Sequence, residues 1–187
     1  IFPRIPIVVM VRHPLQVIYS WLKLGWGKEA KGERMDYDII ISQKDLLNDF
    51  PIIREIIDKI NPKDHLEKLI ILWCIYHYVP SKQLKNGEAF ILFYENLIIE
   101  PEKEIEKLFK FLNKRIEINK ISQILTVGSV TNFQNRDYNL DRNSLLFSWK
   151  DQFSIEEIQR TYNILSEFKL DSIYNKDGLP NRAIFFQ

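Results

Sequence analysis

The chain has 187 residues, 45% of them hydrophobic and 13% aromatic, enough apolar material for one domain with a true core. A net charge of +1 excludes a general attraction to polyanions such as nucleic acid, so any affinity for phosphate has to come from placed residues. One cysteine, Cys74, excludes an internal disulfide and a cysteine-based zinc site.

The first element in chain order is "IPIVVMV" (5–11), a continuous β-branched run expected to be a strand covered on both faces. "PLQVIYSWLKL" (14–24) predicts a helix with Pro14 at its first position. Residues 25–50 hold three glycines and many charges, and read as a long mobile excursion with room for a short helix. "PIIREIIDKI" (51–60) places apolar residues at 52, 53, 56, 57 and 60, a one-faced helix that Asn61-Pro62 ends. "DHLEKLIILWCIYHYV" (64–79) is apolar nearly all round and predicts a buried helix, with Cys74 an inert thiol inside it.

"AFILFY" (89–94) reads as a second buried strand, and "PEKEIEKLFKFL" (101–112) as a helix that opens on proline and early acids. A short helix is expected over 119–127, followed by a polar, irregular stretch over 128–147. Ser154 and Glu157 form a capping box, and Ile155, Ile158, Tyr162, Leu165 and Phe168 the stripe of a last helix. Strands alternating with helices predict an α/β domain with a parallel sheet flanked by helices. No apolar run approaches the roughly 20 residues that span a bilayer, and His13, His65 and His77 lack metal-ligand spacing, so no structural metal is expected. The chain begins at Ile1 almost inside a strand, from which an absent N-terminal portion is expected.

The junction "VRHPLQVIYS" (11–20) raises a chemical question. In open parallel sheets, ligands bind beyond the carboxyl ends of the strands. Arg12 stands at that edge, and the following helix offers unpaired N–H groups and the positive end of its dipole. Arginine's planar fork matches a phosphate bidentately. Ser20 lies six residues past Pro14, about 9 Å along the helix, where it could reach the far side of an anion. The same residues admit a bland account: an arginine meeting solvent or a carboxylate, and a surface serine.

Three motifs together resemble the sulfotransferases that use 3′-phosphoadenylyl sulfate (PAPS). "RHPLQVIYS" matches that family's 3′-phosphate motif, with proline two residues and serine eight residues after the arginine. "FILFYENLIIEPEKEIEKLFKFL" (90–112) is similar to its strand–Tyr-Glu-Asp-Leu–helix segment. "RNSLLFSWKDQFS" (142–154) resembles the stretch from its Arg-Lys-Gly loop to a Trp-Lys pair, and the interval of seven from Arg142 to Trp149 is the same. The resemblance runs from about residue 5 to 168 and implies a P-loop-like α/β sulfotransferase fold. It treats residues 1–187 as one domain, the C-terminal two-thirds of the family's unit.

The resemblance implies that Arg12 and Ser20 grip the 3′-phosphate, with Arg142 and the backbone at Asn143 and Ser144 closing over it. It implies that Tyr94 contacts adenine, with Ser129 and Val130 beside the base. The donor would be PAPS and the product 3′,5′-adenosine bisphosphate (PAP), with no metal. The acceptor would be an unspecified hydroxyl or amine, its pocket bordered by 25–50 with Trp26, Met35 and Tyr37. Each residue keeps an alternative. Tyr94 can be a packing aromatic, Arg142 a solvated charge, Trp149 a packing residue, and Trp73 and His77 core.

Departures from the pattern are Gln16 in place of an aspartate, Val130 in place of an aromatic, and Asn143 and Ser144 in place of Lys and Gly. The family's lysine-bearing 5′-phosphosulfate loop and its catalytic base are expected upstream of Ile1. "GWGKEAKG" (25–32) does not replace that loop, because Gly27-Lys28 is followed by Glu29 rather than Ser or Thr. Two rival readings follow: a nucleotide-binding module of the same fold without transfer activity, and a nucleotide kinase of related topology. The absence of disulfides leans towards a cytoplasmic location.

Overall fold

The computed structural model describes residues 5–25, 37–115, 142–181 and 185. Strand β1 (Ile7–Val11) pairs in parallel with β2 (Ala89–Phe93), with Ile7 opposite Ala89 and Val11 opposite Phe93. A parallel pair requires a crossover, and here helices fill it. They are α1 (Pro14–Lys23), α2 (Tyr37–Ile41), α3 (Lys44–Asp49), α4 (Pro51–Ile60) and α5 (His65–Gln83). After β2 come α6 (Tyr94–Ile99) and α7 (Pro101–Phe111), then α8 (Arg142–Phe147), a 3₁₀ turn (Ser148–Asp151) and α9 (Ile155–Glu167). The chain then forms a short hairpin, with Tyr174 bridged antiparallel to Pro180.

Helix α5 is the centre of the core. Its residues Leu69 to Ile75 are buried without a break, as its nearly all-round apolar sequence predicts. Asp64 caps it by accepting the Glu67 N–H at 2.9 Å. Arg160 of α9 reaches Asp64 at 2.6 Å and Glu67 at 2.9 Å, tying the last helix to this cap. The Ser154–Glu157 capping box at the start of α9 is present in both directions.

Several expectations are corrected. Strand β1 is not covered on both faces: Ile7, Val8 and Met10 are exposed, and burial is complete only at Val11. The reason is that among the described residues the sheet has two strands, so β1 is laddered along one edge. A continuous apolar run says that a strand can be buried, not that something covers it. Of the excursion expected over 25–50, residues 26–36 lie outside the described residues, and 37–50 are more regular than expected, because Tyr37 anchors α2 in the core and α3 leads directly into α4.

Tyr94, expected as the end of the second strand, instead opens a helix that runs to Ile99. The segment expected to be irregular to 147 is helical from Arg142, where Leu146 is buried. Ile52 and Ile155 leave their predicted stripes for solvent, Ile155 because it sits in the first turn beyond the core's edge. The helix expected over 119–127 lies outside the described residues. Among the described residues no helix is long and apolar enough to cross a membrane, and no cluster of metal-ligating side chains is present.

Candidate functional site

The parallel register builds the site. Val11 and Phe93 form the last rung, so the next residues, Arg12 and Tyr94, leave the sheet side by side. The Arg12 guanidinium lies over the Tyr94 ring, 4.1 Å from its centre. One residue further, the His13 N–H donates to Glu95 Oε1 at 2.8 Å, continuing the pairing through a side chain. Arg12 is also held from two other directions. Its carbonyl accepts the Trp73 indole N–H of α5 at 3.1 Å, and its Nη2 donates to the Leu145 carbonyl of α8 at 3.2 Å. Its Nε is buried and has no hydrogen-bond partner among the described residues.

Beneath the arginine, Glu95 is 1% exposed, and its second oxygen accepts the Tyr174 hydroxyl at 3.2 Å. Burial raises its carboxyl above the ordinary range, against the opposing pull of the His13 N–H, the Tyr174 hydroxyl and the Arg12 charge. His13 is wholly buried. Its ring stacks on Trp149 at 4.2 Å and meets the edge of Tyr174 at 4.9 Å. Burial, reinforced by the Lys150 charge, lowers its pKa from 6.5 to about 3, so it is neutral at physiological pH. His77 stacks on Trp73 and hydrogen-bonds the Trp73 carbonyl at 2.7 Å, and burial lowers its pKa to about 4.

Helix α1 begins directly after this junction, with Pro14 at its first turn and no side-chain cap. Gln16, buried on its first turn, binds the 3₁₀ segment. It donates to Ser148 Oγ at 3.0 Å, and its oxygen accepts from the Ser148 hydroxyl at 3.2 Å and the Trp149 N–H at 3.3 Å. Ser20 is half-buried and lies four residues on, on the same face of α1 as Gln16.

Among the residues expected to form a site, the structure thus brings Arg12 against Tyr94 and against the turn that follows Ser144. Arg142 opens α8, and Asn143 and Ser144 are exposed on its first turn. Ser129 and Val130 lie outside the described residues. Sequence reasoning missed Glu95, the His13–Trp149 stack and Tyr174. Glu95 carried a signal, being next to Tyr94 in a quoted motif. Tyr174 carried none, because it returns to the site from 79 residues away.

The parallel pair places Arg12 and Tyr94 together at the carboxyl ends of its strands, the edge at which open α/β sheets bind ligands. The chain matches the family model of the sulfotransferase domain over residues 1–167, and it belongs to that family. No curated protein and no solved structure matches it.

Proposed function

We propose that the chain holds the 3′-phosphate and adenine of PAPS and serves transfer of its sulfuryl group to a hydroxyl or amine, leaving PAP. The placement of Arg12 carries this reading. A guanidinium fixed by Tyr94 below and Leu145 beside it, with a buried Nε left unpartnered, is a preorganised donor set for a dianion. The residues therefore fit the group.

In this reading Arg12 and Ser20 grip the 3′-phosphate from the strand end and from α1. Arg142, with the backbone of Asn143 and Ser144, closes from the α8 side, which Arg12 ties to the end of β1 and Gln16, through the 3₁₀ turn, to α1. Tyr94 serves adenine with one face and Arg12 with the other, and for Ser129 and Val130, outside the described residues, the resemblance implies a role beside the base. When bound, the donor supplies the activated sulfuryl group, and no metal is invoked. Neither His13 nor His77 is assigned as base, because burial keeps both from taking a proton near neutral pH. We read residues 1–187 as one unit, since Tyr174 and Phe185 join the same core as Val11 and Trp73.

Isothermal titration of the protein with PAP and with 5′-AMP tests the reading, because the two differ by the 3′-phosphate that Arg12 would bind. PAP is expected to bind at least tenfold tighter. Equal affinities overturn it.

A further inference from the structure

We propose that the C-terminal hairpin is a positioning strap for the donor site, with Tyr174 acting through Glu95 to keep Arg12 aligned on Tyr94. The inference rests on the functional reading above. The hairpin lies beyond residue 167, where the family match ends.

The strap is a built structure. Asn175 N–H donates to the Leu179 carbonyl at 2.8 Å and Asn181 N–H to the Ile173 carbonyl at 2.6 Å. The Asn175 side chain accepts the Asp177 and Leu179 N–H groups at 3.0 and 2.9 Å, closing the turn. Gly178 completes it at φ +84°, in a conformation that favours glycine. Ile173 and Tyr174 are buried, and the Tyr174 ring packs edge-on to both His13 and Phe93.

Its target is the point where the sheet runs out. Ladder hydrogen bonds fix β1 against β2 only up to Val11 and Phe93. Past that rung, 12–13 and 94–95 are joined by the Arg12–Tyr94 stack and by Glu95, whose two oxygens divide between the His13 N–H and the Tyr174 hydroxyl. Removing the hydroxyl leaves a carboxylate oxygen buried without its donor, which costs more than the bond itself contributed. Relief requires Glu95 to turn or take up a proton. Either response changes the seat of the residue beside Arg12 and the charge facing its guanidinium.

The variant Tyr174→Phe removes one hydroxyl and keeps the ring packed on His13 and Phe93. Titration with PAP and 5′-AMP is the readout, and the ratio of the two affinities is expected to fall about tenfold. A merely structural role would lower both affinities in parallel and leave the ratio unchanged, which overturns the strap. Should Tyr174→Phe fail to fold, Glu95→Gln, which keeps the size of the side chain and removes its charge, is read by the same ratio with the same two outcomes. A wild-type protein that binds PAP no tighter than 5′-AMP overturns the functional reading and the strap with it. A discriminating wild type with equally discriminating variants overturns the strap alone.

Discussion

Gln16 holds Trp149 by its backbone: the carboxamide oxygen accepts the Trp149 N–H at 3.3 Å while the amide donates to Ser148 Oγ at 3.0 Å. One uncharged side chain thereby joins the first turn of α1 to the segment that follows α8. Gln16→Ala leaves the buried Trp149 N–H without its acceptor. A loss of about 1–3 kcal/mol is expected. Urea unfolding measures it, and hydrogen exchange at the Trp149 amide should quicken beyond the change in global stability.

Arg12 is expected to carry most of the discrimination between PAP and 5′-AMP. Charge-assisted hydrogen bonds contribute about 1.5–3 kcal/mol each. Arg12→Ala should therefore weaken PAP about a hundredfold while changing 5′-AMP far less. Arg12→Lys should recover only part of this, because an ammonium cannot lie flat on Tyr94 and reach the Leu145 carbonyl together. Titration of both variants with both nucleotides checks the claim, and a Lys variant equal to wild type contradicts it.

Gly178 is fixed by two independent constraints. Its φ is +84°, and a Cβ there would stand 3.1 Å from the Trp149 ring. Gly178→Ala is expected to cost about 1–3 kcal/mol, seen as a lower melting temperature. The near-UV circular dichroism of Trp149 should change with it, since the same ring stacks on His13.

Acid should destabilise the protein before its carboxylates titrate. His13 takes a proton near pH 6.5 when unfolded but only at about 3 when folded, so the unfolded state binds more protons between these values. Stability should fall as pH drops from 6.5, by about 1.4 kcal/mol per unit for this group. His77, lowered to about 4, acts in the same direction. Glu95, raised by burial, acts in the opposite direction as pH rises above its ordinary value, because folding then holds a proton that the unfolded chain releases. Denaturant midpoints at pH 7.5, 6 and 5 measure the slope. His13→Asn should flatten it, and an unchanged slope would show that His13 is not its source.

The residues that could be read in advance are those whose neighbours are set by local periodicity. Arg12 followed a β-branched run, α5 announced its burial by being apolar all round, and Ser154 announced α9 by its partner three residues on. The parallel pairing followed from element order. What escaped were contacts made by chain return. Nothing in "DSIYNKDGLP" (171–180) says that its tyrosine meets Glu95, and nothing in "RNSLLF" separates a helix from a loop until Leu146 finds the core. The exposed face of β1 escaped for the complementary reason, since hydropathy records what a strand could bury and not what stands against it.

The two strands that frame Arg12 and Tyr94 meet across a gap of 82 positions at every rung. Closing so long a loop carries an entropic cost that must be met before any rung contributes. Helices α3 and α4, adjacent in the chain and packed on one another, can assemble without that closure. The sheet is therefore expected to mature late in folding, and the Arg12–Tyr94 platform to be among the last features acquired as the polypeptide folds.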